Sequence, residues 1–161
     1  MTLAGGRWSI PSEFFGPYLG FNVVSAALIL SAIGWPRPTR VLFVLIFGAA
    51  ALFNGYTAVT DPAAYQTYAD TALLDLYRTF IRGSFRDHAR AFVLAIAAGQ
   101  LTVGALLACG GRLRRAGAVG GVVFLGAITP LGVGAAFPAP LIMAVALIVM
   151  HRRLAIRAAT A

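Results

Sequence analysis

The sequence of 161 residues is poor in the side chains that carry most catalytic and metal chemistry. It contains one cysteine, Cys109, two histidines, His88 and His151, and no lysine. A single cysteine cannot form an internal disulfide, and no Cys/His cluster has metal-ligand spacing, so neither a zinc site nor a dithiol redox site is expected. Walker A, GxGxxG, HExxH and GxSxG motifs are also missing. We therefore predict no catalytic and no metal-binding residues.

Charge is scarce as well, and it is one-sided. Charged residues make up 11% of the chain, whereas soluble domains contain about 25%. Thirteen arginines face five acidic residues, which gives a net charge of +8. In a soluble protein such a balance would indicate nucleic-acid binding. Here hydrophobic residues make up 60% and the mean hydropathy is +0.84, so the composition predicts an all-α polytopic membrane protein.

Hydrophobic runs of about 20 residues predict the membrane spans. Three runs are bounded by proline, glycine or charge, and a fourth covers 35 residues without a charge. As one helix that fourth run would extend roughly 52 Å. It also contains prolines at 130, 138 and 140 and glycines at 132 and 134, which interrupt helices, so we divide it between Leu131 and Pro138. The predicted spans are residues 14–35, 41–59, 89–109, 113–130 and 138–151 of a single membrane domain, 1–161. The fifth is short for a full crossing and would need support from the preceding loop or from snorkelling arginines.

The arginines test the number of spans. With five spans, one face carries eight arginines and no acid, and the other carries five arginines and all five acids. Positive residues mark the cytoplasmic face, which places the N-terminus outside and the C-terminus inside the cell. Four spans, which fit the charges less well, would put the last three arginines outside. The first run is too long for the core of a signal peptide, and only Arg7 precedes it, so we interpret it as a span.

The longest connection between spans has the pattern of an amphipathic helix over residues 62–82. Its apolar residues recur at three- and four-residue spacing, and its charged residues fall largely on the other side. Asp61 or Thr60 would cap this helix, Gly83 would end it, and Asp75 and Arg78 could pair within one turn. We expect it to lie along the extracytoplasmic membrane surface as an anchor or lid.

Polar side chains within or near the spans are the candidates for ligand contact. Asn22, Asn54 and Gln100 lie inside spans, where amides more often bond between helices than bind ligands. No ionisable residue lies deep in a span, which disfavours an ion-coupled transporter. If a lipid-soluble ligand binds, a pocket between the spans and the extracytoplasmic helix would hold it. Its candidate lining residues are Asn54, Tyr56, Tyr65, Tyr68, Tyr77, His88 and Gln100.

Small residues and arginines mark two further surfaces. Gly16-xxx-Gly20 and Gly117-xxx-Gly121 would permit close helix packing. A collar of arginines flanks the spans on the predicted cytoplasmic side and would either contact anionic lipid headgroups or enforce the topology. Its members are Arg37, Arg40, Arg112, Arg114, Arg115, Arg152 and Arg153.

Residues from about Arg40 to Arg153 resemble the DoxX-like family of membrane proteins. The resemblance rests on the span ending in residues 55–62, GYTAVTDP, and on residues 100–110, QLTVGALLACG, followed by a short turn with Arg112. It implies a four-helix transmembrane bundle, to which residues 14–35 add an N-terminal helix. The family often has a lysine near the position of Ala58 and an acid near that of Gln100. This chain is uncharged at both positions. The joint loss is energetically reasonable, because losing only one member of an ion pair would leave the other charge buried without a partner.

Two functional hypotheses follow. The first is a non-catalytic accessory or assembly subunit that packs against a larger membrane complex, or a homo-oligomer. The second is a binder of a quinone, isoprenoid or lipid, and the resemblance implies that such a protein could belong to a quinone-linked oxidoreductase system. No residue set in the sequence can perform a reaction unaided, which favours the first hypothesis.

Overall fold

The computed structural model describes residues 12–159, which form an all-α membrane protein. Five long helices are each long and apolar enough to cross a bilayer, so the predicted polytopic fold is confirmed. Two short helices lie between the second and third of them. The helices are α1 (Ser12–Gly34), α2 (Pro36–Thr60), α3 (Tyr68–Thr71), α4 (Asp75–Phe80), α5 (Ala89–Ala108), α6 (Gly111–Ile128) and α7 (Ala139–Ala159).

Four of the long helices form a ring in the order α2, α5, α6 and α7, and α1 packs outside the ring along α7. Two long-range hydrogen bonds fix α1 there. The Asn22 amide donates to the carbonyl of Ala136 at 3.2 Å, and Arg157 donates to the carbonyl of Gly34 at 3.2 Å. The first bond joins the first half of α1 to the residues just before α7, and the second joins the end of α1 to the last turn of α7, so the two helices run side by side in the same direction. The ring and the added N-terminal helix agree with the predicted arrangement.

The two predicted small-residue pairs have different surroundings. A Cβ atom at Gly117 would lie 2.8 Å from the backbone nitrogen of Leu107, and one at Gly121 would lie 2.6 Å from a methyl carbon of Leu147. Gly117 and Gly121 therefore let α6 approach α5 and α7 closely. A Cβ atom at Gly16 or Gly20 would meet nothing within 4 Å, so that pair lies on an open face of α1.

The long apolar run breaks where its prolines and glycines predict, but the last helix is longer than expected. After α6, residues 129–135 form 3-10 turns and α7 begins at Ala139. The helix that contains the predicted fifth span, residues 138–151, extends beyond it. Arg152, Arg153 and Arg157 continue the helix as exposed side chains to Ala159. Its 21 residues extend about 31 Å, which is enough for a full crossing.

The connector between α2 and α5, residues 61–87, is not the single amphipathic helix that its pattern predicts. It consists of 3-10 turns over residues 62–67, α3, an extended break at residues 72–74, α4 and a π-helical turn over residues 81–85. The break has a tertiary cause, because the Leu73 N–H donates to the carbonyl of Pro130 at 2.8 Å. Gly83 marks a kink with non-helical backbone angles rather than the end of the segment. Asp61 does precede the first turn, but its side chain makes no capping hydrogen bond.

Buried apolar side chains form two clusters along the bundle. The larger lies between the ring helices and includes Phe43, Phe47, Leu107 and Leu147. The smaller lies under the connector, and its members include Ala58, Ile81, Phe85 and Val93. The connector thus covers one end of the bundle, here called the connector end, and the turn between α5 and α6 lies at the other, the arginine-rich end.

Candidate functional site

Two amides meet in the seam between α2 and α5. Buried positions recur at three- and four-residue spacing on both helices, and Asn54 and Gln100 occupy this packed stripe. The Asn54 side-chain N–H donates to Oε1 of Gln100 at 2.7 Å. Gln100 is only 5% exposed, so this bond is shielded from competing water. The antiparallel pairing therefore brings together two of the predicted site residues from positions 46 apart in sequence.

A tyrosine of the connector completes this polar chain. The Tyr65 hydroxyl donates to Oδ1 of Asn54, and the Tyr68 ring packs edge-on against Tyr65 with centroids 5.7 Å apart. Burial raises the pKa of Tyr65 above its ordinary value of 10.0, although a hydrogen bond with Thr57 acts in the opposite direction. Burial and the neighbouring Tyr65 raise the pKa of Tyr68 as well. Both phenols are therefore neutral at physiological pH, and Tyr65 is held as a donor.

The chain of three side chains lies between the two apolar clusters. Along α2, Phe43 and Phe47 belong to the larger cluster and Ala58 to the smaller one, with Asn54 between them. Gln100 has the corresponding position on α5. Each side chain orients the next, from the Tyr65 hydroxyl to Asn54 to Gln100, and the Gln100 NH₂ is left as the last donor. No hydrogen bond joins that NH₂ to any residue in the range 12–159.

The structure separates the remaining predicted ligand residues from this chain. Tyr56 is 69% exposed on the outer surface of α2. Tyr77 donates its hydroxyl to the carbonyl of Ala127 at 2.7 Å, which ties α4 to α6. His88 is exposed, with Nδ1 3.3 Å from the carbonyl oxygen of Ser84. Of the seven candidates, four therefore lie in one connected group: Asn54, Gln100, Tyr65 and Tyr68.

His88 lies in an open cleft of about 440 Å³ at the start of α5. The cleft is lined by Pro62, Arg86, Asp87, His88, Ala89, Arg90, Ala91 and Leu94. Arg86 and Asp87 pair with each other at 3.3 Å. Arg90 donates to the carbonyls of Ala58 and Val59 at 3.3 and 3.4 Å, so it closes the last turn of α2. These charges serve the local structure, and the cleft is shallow and open.

Contacts that the sequence pattern did not indicate hold the connector on the bundle. The Thr71 hydroxyl donates to the carbonyl of Leu131 at 3.0 Å and accepts from the Gly134 N–H at 3.2 Å. Gly132 has a φ of +73°, and a Cβ atom there would lie 2.0 Å from the Thr71 carbonyl oxygen. The glycines at 132 and 134 were interpreted only as helix breakers. Their close contact with Thr71 of α3 could not be predicted locally, because it joins residues some 60 positions apart.

Arg78 organises the connector itself. It donates to Asp75 at 2.7 Å, as the three-residue spacing predicts, and this ion pair is confirmed. It also donates to the carbonyls of Ala69 and Ala72 at 3.3 and 3.0 Å. Ala69 lies in α3 and Ala72 is the first residue of the extended break, so one guanidinium satisfies backbone groups that a continuous helix would have satisfied internally.

The predicted collar lies at the arginine-rich end. Most of its members are exposed, but Arg40 and Arg114 are half-buried. His151 lies at the same end, far from His88, so the two histidines cannot ligate one group.

Comparison with known proteins identifies no relative: no family model, curated protein or solved structure matches this sequence. The resemblance to the DoxX-like family therefore stays a prediction that rests on the quoted residues.

Proposed function

We propose that this protein is a non-catalytic membrane subunit that packs against a larger membrane complex. One observation carries the proposal: the interior amides and Tyr65 bind one another in a continuous chain across α2, α5 and the connector. Polar side chains in membrane interiors commonly stabilise helix association in this way. These polar side chains thus contribute to the cohesion of the bundle.

The position of α1 supports a partner within the membrane. This helix lies outside the ring, and much of its apolar surface is exposed, including Phe15, Leu19 and Val23. Gly16 and Gly20 leave an open face on it. Small residues at this spacing let a second transmembrane helix approach closely, so we assign this face to a helix of the partner.

Extraction in mild detergent followed by native mass spectrometry tests the proposal. We expect a stoichiometric protein partner on the wild type, and its loss from Gly20→Leu because the larger side chain blocks close helix approach. Gly126→Leu is the matched control, because a Cβ atom at Gly126 also meets nothing within 4 Å. Recovery of the wild type without a partner, or equal loss in both variants, would refute the proposal.

We also propose the cytoplasmic membrane as the location, with the arginine-rich end in the cytoplasm. Eight arginines and no acidic residue lie in the segments at that end, which is the distribution that the positive-inside rule describes. The connector then faces the extracytoplasmic side, and the N-terminus lies on that side too.

A second candidate function is the binding of a lipid-soluble molecule that carries a carbonyl group, such as a quinone. The resemblance to the DoxX-like family implies that such a protein would belong to a quinone-linked oxidoreductase system. The Gln100 NH₂ favours it, as the last donor in a chain that starts at Tyr65. A short-chain benzoquinone should then raise the thermal unfolding midpoint of the isolated protein, and Gln100→Leu should abolish that shift. An unchanged midpoint in the wild type would exclude this function.

A further inference from the structure

Arg114 occupies an inward-facing position of α6. The buried residues of this helix are Gly117, Ala118, Gly121 and Leu125, and Arg114 precedes them at the same three- and four-residue spacing. Its side chain is half-buried, and its Nε atom is buried without a hydrogen-bond partner. A guanidinium in this position has lost part of its hydration without receiving an acceptor in exchange.

His151 of α7 also has a buried nitrogen atom without a hydrogen-bond partner. It follows the fully buried Met150 and is itself half-buried, with Nδ1 buried and unpartnered. Helix α6 packs against α7, and Arg114 and Arg115 of α6 are the neighbouring charges of His151. Two buried nitrogen atoms without hydrogen-bond partners therefore lie on the packed helices α6 and α7 at the arginine-rich end, whereas buried polar atoms ordinarily have a partner.

In the described part of the chain, no aspartate or glutamate lies in the segments around Arg114 and His151. All five acidic residues of the sequence lie in segments at or near the connector end. Three ion pairs there join Arg78, Arg82 and Arg86 to aspartates. Arg112, Arg114 and Arg115 of α6 face no aspartate or glutamate in the described residues, so an anion from outside the chain can supply the counter-charge at Arg114.

We propose that Arg114 and His151 form a site for a phosphate group, and that the headgroup of an anionic phospholipid supplies it. The planar guanidinium matches two phosphate oxygens, and an imidazole carries at least one N–H donor. Both side chains are partly exposed, Arg114 in the first turn of α6 and His151 next to the exposed Arg152 and Arg153, and arginines at the ends of apolar runs lie at the level of phospholipid headgroups. The site is independent of the proposed subunit role, because it needs no protein partner.

Thermal unfolding of the purified protein in a neutral detergent tests the site. Phosphatidylglycerol, phosphatidylcholine or inorganic phosphate is titrated, and the apparent affinity is taken from the rise in midpoint. We expect saturable stabilisation by phosphatidylglycerol that exceeds the effect of phosphatidylcholine. Arg114→Gln should weaken the apparent affinity about twentyfold, because it removes both a charge and a bidentate donor.

Arg153→Gln is the matched control, since Arg153 is exposed at the same end and the substitution removes the same charge. It should weaken binding about fivefold at most, which corresponds to one arginine near an anionic surface. Arg114→Lys keeps the charge and serves if the glutamine variant does not fold; it should still bind more weakly than the wild type.

The outcomes separate the sources of phosphate. Stabilisation by phosphatidylglycerol alone supports a lipid headgroup, whereas saturable stabilisation by inorganic phosphate that Arg114→Gln abolishes supports the same site with a soluble phosphate. Equal weakening by Arg114→Gln and Arg153→Gln would overturn the inference and leave a diffuse arginine collar. Equal stabilisation by the two lipids, with none by inorganic phosphate, would overturn it as well.

Discussion

Replacing Asn54 with leucine should destabilise the bundle by breaking two hydrogen bonds at once. Asn54 accepts from the Tyr65 hydroxyl and donates to Gln100 at 2.7 Å. Side-chain hydrogen bonds between membrane helices contribute about 0.6 kcal/mol on average and about 1.7 kcal/mol at most. Two bonds therefore give about 1.2 kcal/mol at the average, and the burial of Gln100 moves the cost upward. We expect Asn54→Leu to lower the free energy of unfolding by about 1–3 kcal/mol.

Reversible unfolding in mixed micelles of a mild detergent and dodecyl sulfate measures this cost. The double variant Asn54→Leu/Gln100→Leu should cost less than the sum of the single variants by about 1 kcal/mol, because neither amide is left without a partner. Tyr65→Phe breaks only the outer bond and should cost about 0.6 kcal/mol. Tyr56→Phe is the control, since its ring is exposed. Additive single costs, or a fully stable Asn54→Leu, would refute the polar chain as a source of stability.

Three further predictions concern the connector and the topology. Gly132→Ala should unseat the connector at a cost of more than about 2 kcal/mol, seen as faster proteolysis, whereas Gly126→Ala should change stability by less than about 1 kcal/mol; equal proteolysis of both would contradict the contact at Gly132. Because folding raises the pKa of Tyr65 and Tyr68, the contribution of these two residues to stability is complete below pH 10 and falls as the pH rises through their folded pKa values. A thermal unfolding midpoint that stays constant between pH 9 and 11 would contradict this prediction. Cys109 is exposed at the arginine-rich end, so an impermeant maleimide should label it in inverted vesicles and not in intact cells, and the reverse result would invert the proposed orientation.

The membrane fold could be predicted because its main determinants are local. A run of about 20 apolar residues identifies a span wherever it packs, and Pro130 and Gly132 interrupt a helix by their own backbone properties. The extent of α7 is harder to predict, because Arg152 and Arg153 end the apolar run. The helix continues past these two residues, since exposed arginines are good helix formers.

The connector and the polar chain depend on contacts that local patterns do not encode. The periodicity of residues 62–82 is real, but the Leu73 N–H bonds to Pro130 and the helix breaks there. Asn54 and Gln100 were identified as candidates, and hydrogen bonding between helices was considered the commoner role of such amides. Which residues they contact depends on the register of α2 against α5, and the third member, Tyr65, on how the connector folds back over both.

The hydrogen bonds between the connector and residues 130–134 have a consequence for the order of assembly during synthesis. Thr71 and Leu73 bind to Leu131, Gly134 and Pro130, which leave the ribosome some 60 residues later. Until the fourth hydrophobic segment has been inserted, residues 68–73 lack their hydrogen-bond partners in residues 130–134. Their backbone N–H groups must then be hydrated at the bilayer surface. A nascent chain arrested before residue 130 would therefore present residues 68–73 to translocation-associated chaperones and proteases, and a full-length chain would conceal them.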